Sequence, residues 1–482
     1  MKAPAFVLNL QTIRTNLRKQ ATDDRVATEA DQHARSYYLE EDGPLLWVSR
    51  LGVDHRADSL LSWLHRVEQV GFTERSFGVG AIEADIRRLR NLDFDNHGND
   101  INQVVARLEY HLTRACLRYT YGQRYGFVRP HKVFNYLDVE KKDTVRNIIR
   151  YRGLYDVDID QPWHGYAHAV LRRVAVDSIA LYLRQVQPVD PYYEQLKSLL
   201  PKATNEEQRR RIICNMERAR WRRHQPINGQ EKRIVVNIPA YHLYAYSLDS
   251  AFDMRVVCGN VKTKTPLLSS YVEWMEVNPQ WVIPMSIIEN EVSYHAGDTA
   301  YFTRNHYNIY DKATNKQMPI ASVSRQMLLS GKYRVAQEGG AGNSLGRIVF
   351  RFKNNFSVFL HDTSNPHAFS RGSRAISHGC VRVARPFDLA RYVLDNPDEW
   401  LLDRIRISMD IRPETEQGEK YLHAHVDEET HKLVSYVPVK PRVPLYIIYN
   451  TLWPDLTGEL QTWPDVYGYD LVIWQNLQSY ML

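Results

Sequence analysis

Cysteine is scarce in this chain of 482 residues: there are four, and no two of them stand in a Cys-x-x-Cys spacing. That scarcity argues against a disulfide framework and against a zinc ribbon. Long apolar runs are also missing, since no stretch reaches the roughly 18 to 20 residues that span a bilayer. The opening MKAPAFVLNL holds an apolar run too short for the core of a secretion signal. The sequence therefore predicts a globular chain whose cysteines have to be considered one by one.

No strong excess of one charge marks the chain either. The 62 basic and 56 acidic residues leave a formal charge of +6, which is not collected in one arm or tail. Nucleic-acid binding is therefore not indicated. A mild positive balance fits a polyanionic cell-envelope substrate, and it equally fits a well-solvated surface. Two catalytic signatures are absent as well: the Ser-x-x-Lys of serine transpeptidases and the His-Glu-x-x-His of zinc peptidases.

The first half of the chain has the periodicity of helices. Apolar residues recur at three- and four-residue steps through DINQVVARLEYHLTRACLRY, and similar stretches continue to about residue 220. We expect an N-terminal extension over residues 1–25 and an all-α domain over 26–225. Cys116 lies on the apolar side of one of these helices, where a small core residue is expected.

The second half, from about residue 231, has short β-branched and aromatic runs separated by turn residues, which predict strands. Cys258 ends one such run, so we expect it in a buried strand. A polar, Tyr-rich and finally Gly-rich segment over 285–342 predicts a lid or a flexible loop, and its aromatic residues favour the lid. A helix is expected to begin at Pro386, and the tail over 404–482 to return to strands. The fold class is therefore α+β, with a β-rich domain over 226–482.

One segment, FLHDTSNPHAFSRGSRAISHGCVRVARP, carries the ingredients of thiol acyl transfer. A strand that ends in His361 leads through a loop to Ser-His-Gly-Cys at 377–380. A cysteine attacks a carbonyl as the thiolate, which requires a base and positive surroundings. We expect Cys380 to be that cysteine and His361 to be the base, with Arg374 and Arg382 supplying positive charge.

This arrangement resembles the signature of the YkuD-type L,D-transpeptidases, in which a histidine at a strand end precedes Ser/Thr-His-Gly-Cys. Here 15 residues separate His361 from Ser377. Further segments resemble blocks of the large, multidomain YcbB-like subclass: VNIPAYHLYAY, Thr265-Pro266, Asn278 to Trp281, Asn343 to Arg347 and Leu360 to Thr363. The helical half resembles the scaffold domain of that subclass through Tyr37, Tyr38, Trp47 and LLSWLHRVEQVGF. The resemblance implies an all-α scaffold domain, then a YkuD-type catalytic domain with an inserted capping subdomain at about 285–342.

The resemblance also assigns roles to single residues. Cys380 becomes the nucleophile and His361 the general base, with the main-chain carbonyl of Asp362 orienting the imidazole. His378 and Gly379 shape the oxyanion site, because a glycine before the nucleophile allows a tight turn of the backbone.

Further residues are expected to bind substrate or to support the site. Arg382 holds the site or a substrate carboxylate, or forms a buried salt bridge, and both interpretations stay open. The other expected supporting residues are Ser377, Arg374, Trp281 and Asn343.

By the same resemblance, the implied function is peptidoglycan L,D-transpeptidation. The thiolate attacks the third, diamino-acid residue of a donor tetrapeptide stem, releases D-alanine and forms a thioester. An amine of an acceptor stem then gives a 3→3 cross-link, whereas a D-amino acid or water gives exchange or L,D-carboxypeptidase activity. No metal or organic cofactor is required, and carbapenem β-lactams are expected to acylate the cysteine.

Such a role in peptidoglycan biosynthesis and cell shape places the protein in the periplasm or cell envelope. An export signal or anchor would then have been removed from this sequence. The peptidoglycan-binding module that many YcbB-like enzymes carry before a stretch like Asn215 to Trp221 is not recognisable here. The oligomeric state is not indicated.

Three alternatives remain. A catalytically silent YkuD-like domain would only bind peptidoglycan, and a sortase-like transpeptidase would share the reaction logic. A metal site could be built from His423, His425 and His431, although histidines on a surface hairpin explain YLHAHVDEETHKLVSY without a metal.

Overall fold

The computed structural model describes residues 4–26, 28–143, 148–428 and 431–481. As predicted, its N-terminal half is mainly helical. The helices are α1 (Leu10–Asp23), α2 (Glu29–Leu39), α3 (His55–Leu64), α4 (Val79–Asn91), α5 (Ile101–Tyr125), α6 (Pro130–Phe134), α7 (Tyr166–Ala175), α8 (Ile179–Gln185), α9 (Pro191–Leu199) and α10 (Glu206–Arg220). Short strands also occur, so the prediction of an all-α domain was incomplete: β1 (Val48–Ser49), β2 (Gly52–Val53), β3 (Val139–Asp143), β4 (Ile148–Tyr151) and β5 (Tyr155–Asp156).

Helix α5 is the centre of the helical half. Asp100 caps its first turn by accepting hydrogen bonds from two backbone N–H groups, and Cys116 is fully buried on it, as expected. Helices α1, α2 and α4 pack against α5. Helix α1 lies within the residues expected to form an extension, and it buries Ile13 and Leu17 against the same core. It is therefore part of the helical body.

The second half begins with β6 (Arg233–Asn237), β7 (His242–Tyr246), β8 (Ala251–Gly259) and β9 (Leu267–Val277). Strand β10 (Trp281–Val282) follows, just before the insertion predicted over 285–342. That insertion contains α11 (Met285–Asn290), α12 (Thr299–Arg304), β11 (Tyr307–Asp311), β12 (Gln317–Met318), α13 (Arg325–Leu329) and β13 (Tyr333–Gln337). The chain then forms β14 (Ile348–Phe352), β15 (Leu360–His361), β16 (Ala375–Ser377), β17 (Val381–Val383) and α14 (Pro386–Val393). Helix α14 begins at the proline that predicted it.

The tail departs from the prediction of strands. It starts with helices α15 (Glu399–Ser408) and α16 (Glu416–Ala424), and strands resume only with β18 (Tyr436–Ile448), β19 (Leu452–Pro454) and β20 (Leu460–Thr462), before α17 (Tyr469–Leu477). His423 lies on α16 and His425 caps its end, so the interpretation of a hairpin was wrong. Helix α16 has the amphipathic spacing of a surface helix, and the interpretation of its histidines as part of a turn had overlooked this spacing.

Eight strands of the second half form a sheet that closes on itself. Its order is β14-β15-β17-β8-β7-β6-β18-β9, and β9 pairs back to β14, which gives a barrel-like structure. Leu360, Val381 and Val383 are buried in its core. Cys258 is fully buried on β8, as expected from the sequence.

The two halves share one apolar core. Strand β5 of the helical half pairs in parallel with β9, joining Tyr155 to Leu267. Arg218 on α10 forms an ion pair with Asp470 on α17 at 2.6 Å. In the described ranges, no helix combines the length and the apolar character that crossing a membrane would require.

The capping segment, residues 285–342, folds around an apolar cluster of its own. Strands β10, β13, β11 and β12 form a separate sheet. The buried side chains between this sheet and the short helices are apolar: Ile283, Ile287, Ile288, Val292, Phe302, Ile309, Val323, Leu328 and Val335. The segment is therefore a folded subdomain, and its action as a lid stays a prediction.

Candidate active site

Of the two residues expected to do the chemistry, His361 lies on β15 and Cys380 directly before the neighbouring strand β17. Strand β15 pairs in parallel with β17, so that Leu360 stands opposite Val381 and His361 opposite Arg382. Cys380 immediately precedes β17, and the N–H of Val381 donates to the carbonyl of Phe359 at 3.1 Å. Because side chains alternate along strands, His361, Arg382 and Cys380 project to the side opposite the buried Leu360 and Val381.

Cys380 and His361 are both neutral at rest. Burial raises the pKa of the Cys380 thiol to about 11, although the backbone at Phe359 and two arginines oppose the shift. Burial, reinforced by Arg382, lowers the pKa of His361 to about 3. His361 is 4% exposed, and the backbone at Asp362 and Leu345 offsets the lowering of its pKa only in part. Within the described ranges, its buried Nδ1 forms no hydrogen bond. Cys380 is therefore a thiol at rest, and His361 is an uncharged imidazole.

The two arginines that favour the thiolate are Arg382 and Arg351, and both also act on His361. Arg351, on β14, was missed by the sequence reasoning. Its guanidinium stacks 4.5 Å from the ring centre of Phe359 and pairs with Glu276 at 2.8 Å. A charged residue at an alternating position of the apolar strand IVFRF was the available signal.

Arg382 has no carboxylate within ion-pair distance in the described part of the chain, which does not support the salt-bridge alternative. Burial lowers its pKa, and the Cys380 thiolate opposes that shift. Arg374 differs from the expectation. Its guanidinium donates to the backbone carbonyls of Val256, Tyr241 and Arg371 at 3.0 to 3.1 Å. Arg374 therefore stabilises the loop. The second arginine that lowers the pKa of the thiol, beside Arg382, is Arg351.

The Ser-His-Gly-Cys turn is closed by its own serine. Ser377 Oγ donates to the carbonyl of Cys380 at 2.6 Å and accepts from the N–H of Gly379 at 3.1 Å. Gly379 has φ +120°, a conformation that glycine adopts readily and other residues avoid. The N–H of Gly379 is thus engaged within the turn, and the role of Gly379 in shaping the oxyanion site stays a prediction.

The Asp362 side chain acts on the backbone rather than on the imidazole. Its carboxylate accepts a hydrogen bond from the N–H of Arg347 at 2.8 Å. Gly346, with φ +67°, leaves the room for this contact, because a Cβ there would lie 2.4 Å from Asp362 Cγ. The contact fixes the end of β15 and therefore the base.

The capping subdomain is tied to the active-site turn by one side-chain pair. His378 Nε2 and Glu291 Oε1 lie 2.9 Å apart, and both side chains are about half exposed, at 51% and 52%. Among the described residues, this is the ion pair that joins 285–342 to the rest of the catalytic domain. Glu291 had no sequence signal, since nothing along the chain relates it to residue 378.

Asn343 and Trp281 lie where the capping subdomain begins and ends. Asn343 is 1% exposed, and its Nδ2 donates to the carbonyls of Glu338 at 2.8 Å and Pro279 at 3.1 Å. It thereby clasps the incoming and outgoing segments. Trp281 pairs with Gln337 in the sheet of the subdomain and packs on its apolar cluster. Both residues support the subdomain rather than contact the thiol.

Comparison with known proteins assigns two parts of the chain to described families. Residues 231–407 match the family described as the L,D-transpeptidase catalytic domain, YkuD, and residues 32–200 match the family described as the Scaffold domain. A curated protein of Haemophilus influenzae named "Putative L,D-transpeptidase" is 26% identical over 333 residues, which is 67% of this chain and 62% of that protein. The match thus spans less than two thirds of the relative.

The chain therefore contains a scaffold domain followed by a YkuD-type L,D-transpeptidase catalytic domain. This order of domains is the YcbB-like architecture.

Proposed function

We propose that this protein is a peptidoglycan L,D-transpeptidase that forms 3→3 cross-links through a thioester on Cys380. The observation that carries the proposal is the placement of Cys380 and His361 on one side of paired strands. Both residues are under the influence of the same two cations, Arg351 and Arg382. A nucleophile, a base and positive charge in a half-buried site are what acyl transfer by a thiol requires.

The neutral resting pair defines how the proton moves. As Sγ attacks the carbonyl carbon of the third residue of the donor stem, His361 takes the thiol proton, and the arginines stabilise the developing thiolate. The C–N bond to D-alanine then breaks, and the imidazolium returns the proton to the leaving amine. The amine of the acceptor stem attacks the thioester, loses its proton to His361 and releases the cysteine.

The substrates of this proposal are a donor tetrapeptide stem and an acceptor stem, and carbapenems are the expected inhibitors. The working location is the periplasm or cell envelope, where the L,D-transpeptidase family acts. The capping subdomain covers the bound donor, and the pair between Glu291 and His378 holds it beside the Ser-His-Gly-Cys turn.

The test is a muropeptide digest of sacculi rich in tetrapeptide stems after incubation with the protein. We expect 3→3 dimers with the wild type and with Cys116→Ala, a control in the buried scaffold core, but none with Cys380→Ala. Dimers made by Cys380→Ala would reject the assigned nucleophile. Release of D-alanine without dimers would indicate L,D-carboxypeptidase activity. The absence of both dimers and free D-alanine would favour a silent binding domain.

A further inference from the structure

A buried hydroxyl holds the peptide bond that precedes the nucleophile. Thr265 Oγ1 donates to the carbonyl of Gly379 at 2.8 Å and accepts from the N–H of Gly259, also at 2.8 Å. The Thr265 side chain is completely buried. Because the hydroxyl has a single proton and the Gly259 N–H faces an acceptor lone pair, that proton is committed to Gly379.

Holding this carbonyl fixes the direction of the next N–H. The Gly379–Cys380 peptide is trans, and a trans peptide carries its C=O and N–H on opposite sides. The Cys380 N–H has no acceptor among the described residues, whereas the Gly379 N–H donates to Ser377. The backbone N–H of a nucleophile lies beside the carbonyl that it attacks, which is the position of an oxyanion donor.

The threonine is itself held in place from two sides. Tyr467 Oη accepts from the Thr265 N–H at 3.2 Å and donates to the Gly259 carbonyl at 2.6 Å. Burial raises the pKa of Tyr467, so the phenol keeps its proton. The neighbouring Lys264 forms an ion pair at 2.6 Å with Asp138, which lies between α6 and β3.

We propose that Thr265 is a positioning residue for acyl transfer, which aims the Cys380 N–H at the oxyanion by holding the Gly379 carbonyl. The inference rests on the proposed function. Glycine leaves the peptide free to rotate, and the hydroxyl supplies the missing constraint. Thr265 touches no reacting atom, so it acts through the peptide alone.

The test compares two reactions of the same thiol in wild type, Thr265→Val and Thr265→Ser. In acylation by a carbapenem, a C–S bond forms at the lactam carbonyl, the ring C–N bond opens, and the nitrogen takes up the proton released by the thiol. In alkylation by iodoacetamide, Sγ displaces iodide and no oxyanion forms. Intact-protein mass spectrometry gives both rates.

We expect acylation by Thr265→Val to be roughly 10- to 100-fold slower, since removing one oxyanion donor costs about 10² to 10³ in rate. Alkylation should stay within about twofold of the wild type, and Thr265→Ser should restore acylation. The matched control is Thr451→Val, which removes another fully buried hydroxyl that bonds Asp470 at 2.6 Å. It should lose stability and keep its acylation rate.

Two results would overturn the proposal: acylation by Thr265→Val at the wild-type rate, or an equal fall in both reactions. If Thr265→Val does not fold, Tyr467→Phe takes its place in the test. This variant removes the phenol that holds Thr265 and keeps the Thr265 hydroxyl, and the same selective loss of acylation is expected. A wild-type protein that is alkylated but never acylated would count against the proposed function itself, which separates the two failures.

Discussion

The charge state of the resting thiol gives a prediction that can be worked out in numbers. With a pKa of about 11, Cys380 is a thiolate in about one molecule in 10⁴ at pH 7. A thiol at the ordinary value of 9.0 would be ionised in about one molecule in 10². The rate of alkylation should therefore rise about tenfold per pH unit between pH 6 and 9, without a plateau.

The assay is clean because the other cysteines are inaccessible. Cys116, Cys214 and Cys258 are completely buried, and burial raises the pKa of each, so that iodoacetamide should label Cys380 alone. Pulse labelling at each pH, followed by intact mass, gives the rate directly.

Two variants test the causes of that charge state. Removing a cation with Arg382→Met should slow labelling by roughly three- to tenfold at every pH, because the thiolate loses an opposite charge. His361→Asn should leave the slope unchanged, since a base with a pKa of about 3 stays neutral over this range. A rate that is constant between pH 5 and 8 would refute the reasoning, because it would show a thiolate–imidazolium pair at rest.

Three further predictions follow from other contacts. The pKa of His361 is about 3 in the folded protein against an ordinary value of 6.5, so its contribution to stability is lost as pH falls below 6.5. In urea titrations, the difference in unfolding free energy between wild type and His361→Asn should therefore shrink by about 2 kcal/mol from pH 8 to pH 5, and parallel pH curves would contradict this. Glu291→Gln breaks a half-exposed pair with His378, so the rate of hydrogen exchange in 285–342 should rise, by at most about fivefold, while the Tm stays within error. An unchanged exchange rate would show that the pair does not hold the subdomain. Gly346→Ala places a Cβ against Asp362 at a positive φ and should lower the free energy of unfolding by about 2 kcal/mol or more, with a lower Tm and slower acylation. An unchanged Tm would reject the close contact.

Much of the fold could be predicted because local pattern and tertiary structure agree. The helical half follows from apolar spacing, and the strands from β-branched runs. The failures have local causes. Isolated two-residue strands such as β5 carry no periodic signal, and their pairing with β9 is a tertiary event. Helix α16 was mistaken for a hairpin because its histidines and acidic residues resemble a turn.

The site shows the same division. The nucleophile and the base come from one contiguous segment, so the sequence alone pointed to Cys380 and His361. Arg351 reaches the site from β14 and Glu291 from the capping subdomain, and their distance along the chain hides them. Thr265, between β8 and β9, was noted in the sequence only as part of a Thr-Pro block, without a role. Arg374 was assigned by proximity in sequence, whereas the fold turns its guanidinium toward backbone carbonyls.

The most direct test of the account is the mass of the intact protein after incubation with a carbapenem, for the wild type and Cys380→Ala. The account predicts one added drug mass on the wild type, located on the peptide that contains Cys380, and none on the variant. An adduct that persists on Cys380→Ala, or a wild type that alkylates at Cys380 and yet gains no drug mass, would contradict the claim that this thiol performs acyl transfer.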